Sequence, residues 1–272
     1  MKSVLAVPGL LLLLMFASSA KASAEKYIQF SLHMVKILVT NSEGQAGSGT
    51  GVQVDANLVV TNCHAVAAAK RVVVARGSSG VEAQVRSADT RHDLCVLSIA
   101  SPMARSAEVA SSRTLKPGDV VHAMGFSGGK VLSMSAGRVT ALHEMDNAAV
   151  IETGAEFQQG ASGGALFDSE GRLVGVLTFF IPGMKRHFAV PSEWIEAGLN
   201  KARNAQQPAP SSALPFWAAS GSEKPFFLRA IQHENDEDWG RLKAVARQWI
   251  ESDPSSAAAV NASMRARLLS AR

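Results

Sequence analysis

Gln159-Gly160-Ala161-Ser162-Gly163-Gly164-Ala165-Leu166-Phe167 sets a serine among glycines immediately before an apolar run. Glycine allows tight backbone turns that other residues resist, so the stretch reads as a sharp loop feeding a strand. Outward from it, residues 27–190 keep one pattern. Short apolar runs such as Met34 to Val39, Leu58 to Asn62, Leu94 to Ile99, Val120 to Met124 and Leu173 to Phe180 alternate with turn chemistry. Examples of the latter are Asn41-Ser42-Glu43-Gly44, Lys116-Pro117-Gly118-Asp119 and Asp168-Ser169-Glu170-Gly171. Regularly spaced short strands with such turns predict an all-β barrel or sandwich, not βαβ units. Only Ala65 to Lys70 reads as a single helical turn.

Two other segments belong with the serine. Val59-Val60-Thr61-Asn62-Cys63-His64 is an apolar strand ending at a histidine, and Asp93-Leu94-Cys95-Val96-Leu97 is an aspartate opening one. In chain order the residues are His64, Asp93 and Ser162, 29 and then 69 residues apart. These residue types fit acyl transfer. A serine hydroxyl needs a base to take its proton. Histidine titrates near neutrality and can return the proton to a leaving amine. A buried carboxylate fixes the imidazole tautomer and stabilises the imidazolium. The expected oxyanion donors are the N–H groups of Gly160 and Ser162.

With TNCHAV (61–66), DLCVL (93–97) and GASGGALF (160–167) in this order, the chain resembles the trypsin-like serine proteases, and most of all the bacterial HtrA/DegP type. GSGTGVQV (47–54), GRLVGVLTF (171–179) and HFAVPSEWI (187–195) extend the resemblance over roughly residues 35–199. It implies two six-stranded antiparallel β-barrels, with His64 and Asp93 on the first and Ser162 on the second. It also implies a polypeptide substrate in the cleft between them, including unfolded proteins, and no cofactor or metal. It places the base of the specificity pocket near Glu156 and its walls near Leu177, Phe179 and Val190, so that an acidic base would favour Lys or Arg. It brings Cys63 and Cys95 within bridging reach, and a Cys63–Cys95 disulfide is expected. In zymogen-type relatives an aspartate precedes the serine and pairs with a freshly cut N-terminus. Ala161 stands there instead, so that activation route is not expected.

Rival readings are weaker. GASGG also fits the G-x-S-x-G elbow of α/β-hydrolases, but that fold orders Ser before Asp before His, with an apolar strand leading in. Here Glu156-Phe157-Gln158-Gln159 leads in, and the histidine and aspartate lie upstream. A metal site of Cys63, His92 and Cys95 lacks a four-ligand spacing. Asp89 rivals Asp93 but opens no apolar strand, and His33, His122, His143, His187 and His233 read as structural or surface residues. The rival from another class is a non-enzymatic binding or chaperone-like module on the same fold.

Outside the barrels the pattern changes. Lys2 and the apolar run Val4 to Ala17, followed by Ala22-Ser23-Ala24, read as a secretory signal peptide (1–24) rather than a membrane anchor, because the run is shorter than a bilayer span. That predicts a periplasmic or secreted protease domain over 25–203. Ser192 to Arg203 predicts a closing helix with Ser192 as its N-cap. Residues 204–224, rich in Pro, Ala, Ser and Gln, read as a linker. Residues 225–272 read as a short helical tail, with helices over 237–252 and 255–269 and Asp253-Pro254 between them. Residues 238–259 (DWGRLKAVARQWIESDPSSAAA) resemble one helix of a tetratricopeptide repeat and the turn after it, which makes the tail a candidate surface for a protein partner. It is too short and Ala-rich for the PDZ domain of HtrA-type relatives. The 272 residues carry a net charge of +4 in scattered Lys and Arg, with no basic block of the kind that tracks phosphates, so nucleic-acid binding is not expected.

Overall fold

The computed structural model describes residues 23–204 and 213–270. The signal-peptide reading (1–22 of it) and residues 205–212 of the expected linker lie outside the described residues. No helix among the described residues is long and apolar enough to cross a membrane.

Among the described residues twelve strands form two closed barrels, every strand-to-strand pairing within them antiparallel. The first comprises β1 (Met34–Asn41), β2 (Ala46–Asp55), β3 (Leu58–Thr61), β4 (Ala69–Arg76), β5 (Ser79–Asp89) and β6 (Leu94–Ile99), in the order β1-β2-β3-β6-β5-β4. The second comprises β7 (Val120–Ser127), β8 (Val131–Met145), β9 (Ala148–Thr153), β10 (Ala165–Phe167), β11 (Leu173–Ile181) and β12 (Arg186–Pro191), in the order β10-β11-β12-β9-β8-β7. The period-two direction of strand side chains explains how each barrel has an inside and a shared outside. On β6, Cys95, Leu97 and Ile99 enter the first barrel's core, while Leu94 and Val96 join a core between the barrels. On β12, Ala189 enters the second barrel and Phe188 and Val190 face the interbarrel core.

The expected helical turn at Ala65 to Lys70 is a non-helical turn, and Ala69 already pairs with Asn41 as the start of β4. An N-terminal helix, α1 (residues 23–31), buries Phe30 against Phe167 and His122. Helix α2 (Ser192–Asn204) follows β12. Its Ser192 hydroxyl accepts the Ser112 N–H at 2.8 Å, a bond to the interbarrel segment.

Three helices form the tail: α3 (Phe226–Asn235), α4 (Trp239–Ser252) and α5 (Ala257–Leu269). α4 starts two residues later than the periodicity suggests, because Glu237 has φ +52° and the Asp238 side chain caps the Arg241 N–H. The periodicity passes over α3. Residues 213–224 carry a linker's composition, yet Phe216 is 2% exposed and packs edge-on to Phe179 and Trp194. Local composition does not register an aromatic residue that finds its pocket on another element.

Candidate active site

The register of the first barrel brings two of the predicted residues together. β3 and β6 pair Thr61 with Cys95, and the same alignment runs on past the strand ends, where the Cys63 N–H donates to the Asp93 carbonyl at 3.3 Å. Asp93 sits at φ +57°, turning its carboxylate back toward the next residue of the β3 side. Asp93 Oδ1 accepts the His64 backbone N–H at 2.8 Å, and Oδ2 faces His64 Nδ1 at 2.6 Å. The carboxylate is fully buried and the imidazole side chain is 33% exposed. A carboxylate on Nδ1 leaves Nε2 as the nitrogen available to the cleft. Cys63 and Cys95 are joined by a disulfide with their Cα atoms 4.8 Å apart, so neither presents a thiolate to a metal.

Ser162 lies in the loop between β9 and β10, on the second barrel. It shares with His64 a cavity of about 390 Å³, lined also by Gly160, Gln159, Ser48, Gly49 and Ala65. Its hydroxyl donates to the Thr178 carbonyl at 3.2 Å. The loop's peptide planes are fixed from behind. The Gln159 carbonyl accepts the Gly128 N–H (2.7 Å) and the Ala161 carbonyl accepts the Gly164 N–H (2.8 Å). In a trans peptide the N–H points opposite the C=O, so the N–H groups of Gly160 and Ser162 point away from those partners. Gly160 reaches this conformation at φ +92°, with Gly129 N only 2.4 Å from where a Cβ would sit.

The residues expected to form a specificity pocket are scattered. Leu177 and Val190 are fully buried in two different cores and offer no surface to a ligand. Phe179 stacks on Phe188. Glu156 borders a separate cavity of about 580 Å³, with its side chain 61% exposed and 3.8 Å from Lys185. Behind it Phe157, Phe180 and His187 pack on one another.

Two site residues escape sequence reasoning. Thr50 on β2 donates its hydroxyl to the Gly160 carbonyl (2.8 Å) and accepts the Phe126 N–H (2.9 Å), bracing the serine loop from the first barrel. Trp217, 124 residues beyond Asp93, donates its indole N–H to Asp93 Oδ2 at 3.0 Å. The Phe216-Trp217 pair in a segment of small residues was the available signal.

Charge also ties the barrels and the tail together. His92 places Nδ1 2.8 Å from Asp89 of the first barrel and Nε2 2.9 Å from Asp146 of the second, stacked on Trp194. Burial opposes its charge, but the hydrogen bonds and fields of the two carboxylates hold its pKa above the ordinary value. Glu152 faces His143 at 2.8 Å and takes a two-pronged contact from Arg186. Burial works against its charge, and these partners outweigh burial and bring its pKa down to about 2.

Residues 49–176 match the family described as "Trypsin-like peptidase domain". Serine endoprotease DegS of Haemophilus influenzae is 33% identical over 142 residues, covering 50% of this chain and 42% of its own length. Periplasmic serine endoprotease DegP of Escherichia coli is 32% identical over 162 residues, covering 55% and 34%. This chain thus aligns with less than half the length of either relative. Among solved structures, the Rv3671c protease from M. tuberculosis in its active form superposes with a TM-score of 0.58 at 25% identity, over 68% of this chain and 87% of that one. The HtrA-type protease AlgW with tripeptide gives 0.59 at 25% identity, over 65% and 62%. Residues 49–176, which hold most of both barrels, are therefore similar to a trypsin-like peptidase domain, and the two-barrel fold is similar to that of the HtrA-type serine proteases.

Proposed function

We propose that this chain is a serine endopeptidase that cleaves polypeptides, including unfolded ones, outside the cytoplasm through His64, Asp93 and Ser162. One observation carries the reading: a fully buried carboxylate lies 2.6 Å from Nδ1 of a histidine that shares its cleft with a serine. In the reaction, the Ser162 hydroxyl turns from the Thr178 carbonyl toward His64 Nε2, which takes its proton as Oγ attacks the scissile carbonyl. Asp93 holds the ring in register and balances the imidazolium. The N–H groups of Gly160 and Ser162 donate to the oxyanion. His64 then passes its proton to the leaving amine, giving an acyl-enzyme. Water, deprotonated by the same imidazole, releases the acid and restores Ser162.

The leader reading of residues 1–24 and the periplasmic location of the DegP relative favour an extracytoplasmic site of action. There the disulfide between Cys63 and Cys95 is stable. Residues 25–203 would then form the protease domain, and the helical tail beyond it a candidate surface for a protein partner.

A fluorophosphonate probe and unfolded casein test the proposal together. The wild type is expected to label and to cleave, and Ser162→Ala to do neither. A wild type that neither labels nor cleaves casein would favour the non-enzymatic binding module.

A further inference from the structure

Resting on the peptidase reading, we infer that Trp217, from outside both barrels, is a positioning residue of the active site that locks the Asp93 carboxylate and the His64 ring in place.

The Asp93 carboxylate takes three hydrogen bonds. The His64 backbone N–H goes to Oδ1, and His64 Nδ1 and the Trp217 indole N–H share Oδ2. An indole nitrogen only donates, so its presence fixes Oδ2 as an acceptor whatever the protonation of the ring. Thr178, on the strand beside Ser162, does not compete for this position. Its hydroxyl donates to the Val176 carbonyl and receives Asn62 Nδ2. The indole also meets the His64 ring edge-on, with centroids 5.5 Å apart and planes at 85°. It therefore meets both members of the pair.

The segment that carries Trp217 is anchored on both sides of the site. The Phe216 N–H donates to the Arg91 carbonyl at 2.9 Å, two residues before Asp93. Phe216 is buried against Trp194, Phe179 and Phe227. Trp217 itself stacks on Phe179 with centroids 5.6 Å apart. Phe179 follows Thr178, whose carbonyl holds the Ser162 hydroxyl. The tail thereby reaches the histidine, the aspartate and the strand beside the serine through a single indole. Both an N–H donor and a broad ring are used, which accounts for a tryptophan rather than another aromatic residue.

The test uses the full chain and Trp217→Phe, which keeps a ring on Phe179 and loses the N–H. In the wild type, and equally in Ser162→Ala, the proton between His64 Nδ1 and Asp93 Oδ2 should give a far-downfield NMR resonance. In Trp217→Phe it should broaden by exchange, and kcat on a casein-derived peptide should fall about tenfold with KM changed less than twofold. An unchanged resonance or an unchanged kcat overturns the inference. Should Trp217→Phe fold poorly, the wild type's ¹⁵N-labelled indoles decide. The Trp217 N–H signal is expected to move when Asp93→Asn is introduced, and a stationary signal overturns the inference. A Trp217-dependent downfield resonance in a protein with no Ser162-dependent hydrolysis would uphold the contact and remove the peptidase reading instead.

Discussion

The backbone N–H of Thr50 donates to the carbonyl oxygen of Ser162 at 3.0 Å, so a strand of the first barrel grips the residue that the second barrel supplies. The Thr50 hydroxyl adds the bonds to the Gly160 carbonyl and the Phe126 N–H. Across the same seam, a Cβ on Gly163 would lie 2.1 Å from the Thr50 carbonyl, so the loop approaches β2 as closely as glycine permits.

Thr50→Val keeps the shape of the side chain and deletes the hydroxyl. The half-buried Gly160 carbonyl and Phe126 N–H each lose a partner, a cost below the about 1–3 kcal/mol of a fully buried group left unpaired. Because both groups position the serine loop, part of that cost should appear in catalysis. The expected result is a kcat about tenfold lower, with a lowered melting temperature. Peptide hydrolysis and calorimetry on the same preparation check it, and wild-type kcat would show that the loop holds itself.

How far sequence alone reaches can be read from the same residues. His64, Asp93 and Ser162 stand out in the sequence because acyl transfer calls for these side-chain types and they flank apolar strands, whereas the β3–β6 register that brings His64 to Asp93 is seen only in the structure. Thr50 was not legible as a brace, since a threonine in a glycine-rich strand looks like any β-former. Trp217 was hidden by its distance along the chain, because no local period reports a hydrogen bond to a residue 124 positions away. The family resemblance places Leu177 and Val190 in a pocket wall, whereas strand alternation turns Leu177 into the second barrel's core and Val190 into the interbarrel core.

Glu156 tests the specificity reading. A carboxylate 61% exposed and 3.8 Å from Lys185 is screened by water and by the opposite charge, and such exposed pairs are typically worth about 0–1 kcal/mol. Glu156→Ala should therefore alter the ratio of kcat/KM between Arg- and Leu-containing peptides by less than about fivefold. A collapse of Arg cleavage by a hundredfold would restore Glu156 as the determinant of a basic preference.

The Glu152 network links the second barrel to the tail, because Arg186 also lies 3.5 Å from Glu234 of α3, which pairs with Arg265 of α5 at 2.7 Å. A carboxyl of ordinary value 4.5 held at about 2 adds on the order of 3 kcal/mol to folding. Its folded pKa is depressed, so that stability is present above pH 4.5 and is lost as the pH falls toward 2. Glu152→Gln should therefore melt well below the wild type at pH 7, with the gap narrowing below pH 4.5 and closing as the pH falls through about 2. Equal melting temperatures at pH 7 would mean that the ion pairs repay no more than their desolvation.

His92 gives the opposite sign. Its folded pKa is raised, with Asp89 and Asp146 as the facing carboxylates, Arg91 also on Asp146, and Lys201 acting on Asp89. The imidazolium therefore stabilises the folded state fully below the unfolded value of 6.5, and the contribution disappears as the pH rises through the folded pKa. Since Asp89 belongs to one barrel and Asp146 to the other, the contribution is a clamp across the seam that Ser162 and His64 share. His92→Phe keeps a ring on Trp194 and removes the charge. It should lower the melting temperature more at pH 5.5 than at pH 9, where only the hydrogen bond of the neutral ring is lost. Melting curves of the two proteins between pH 5.5 and pH 9 decide the matter: a constant difference across that range would show that His92 contributes by packing on Trp194, and the barrels are then held together without charge at this point.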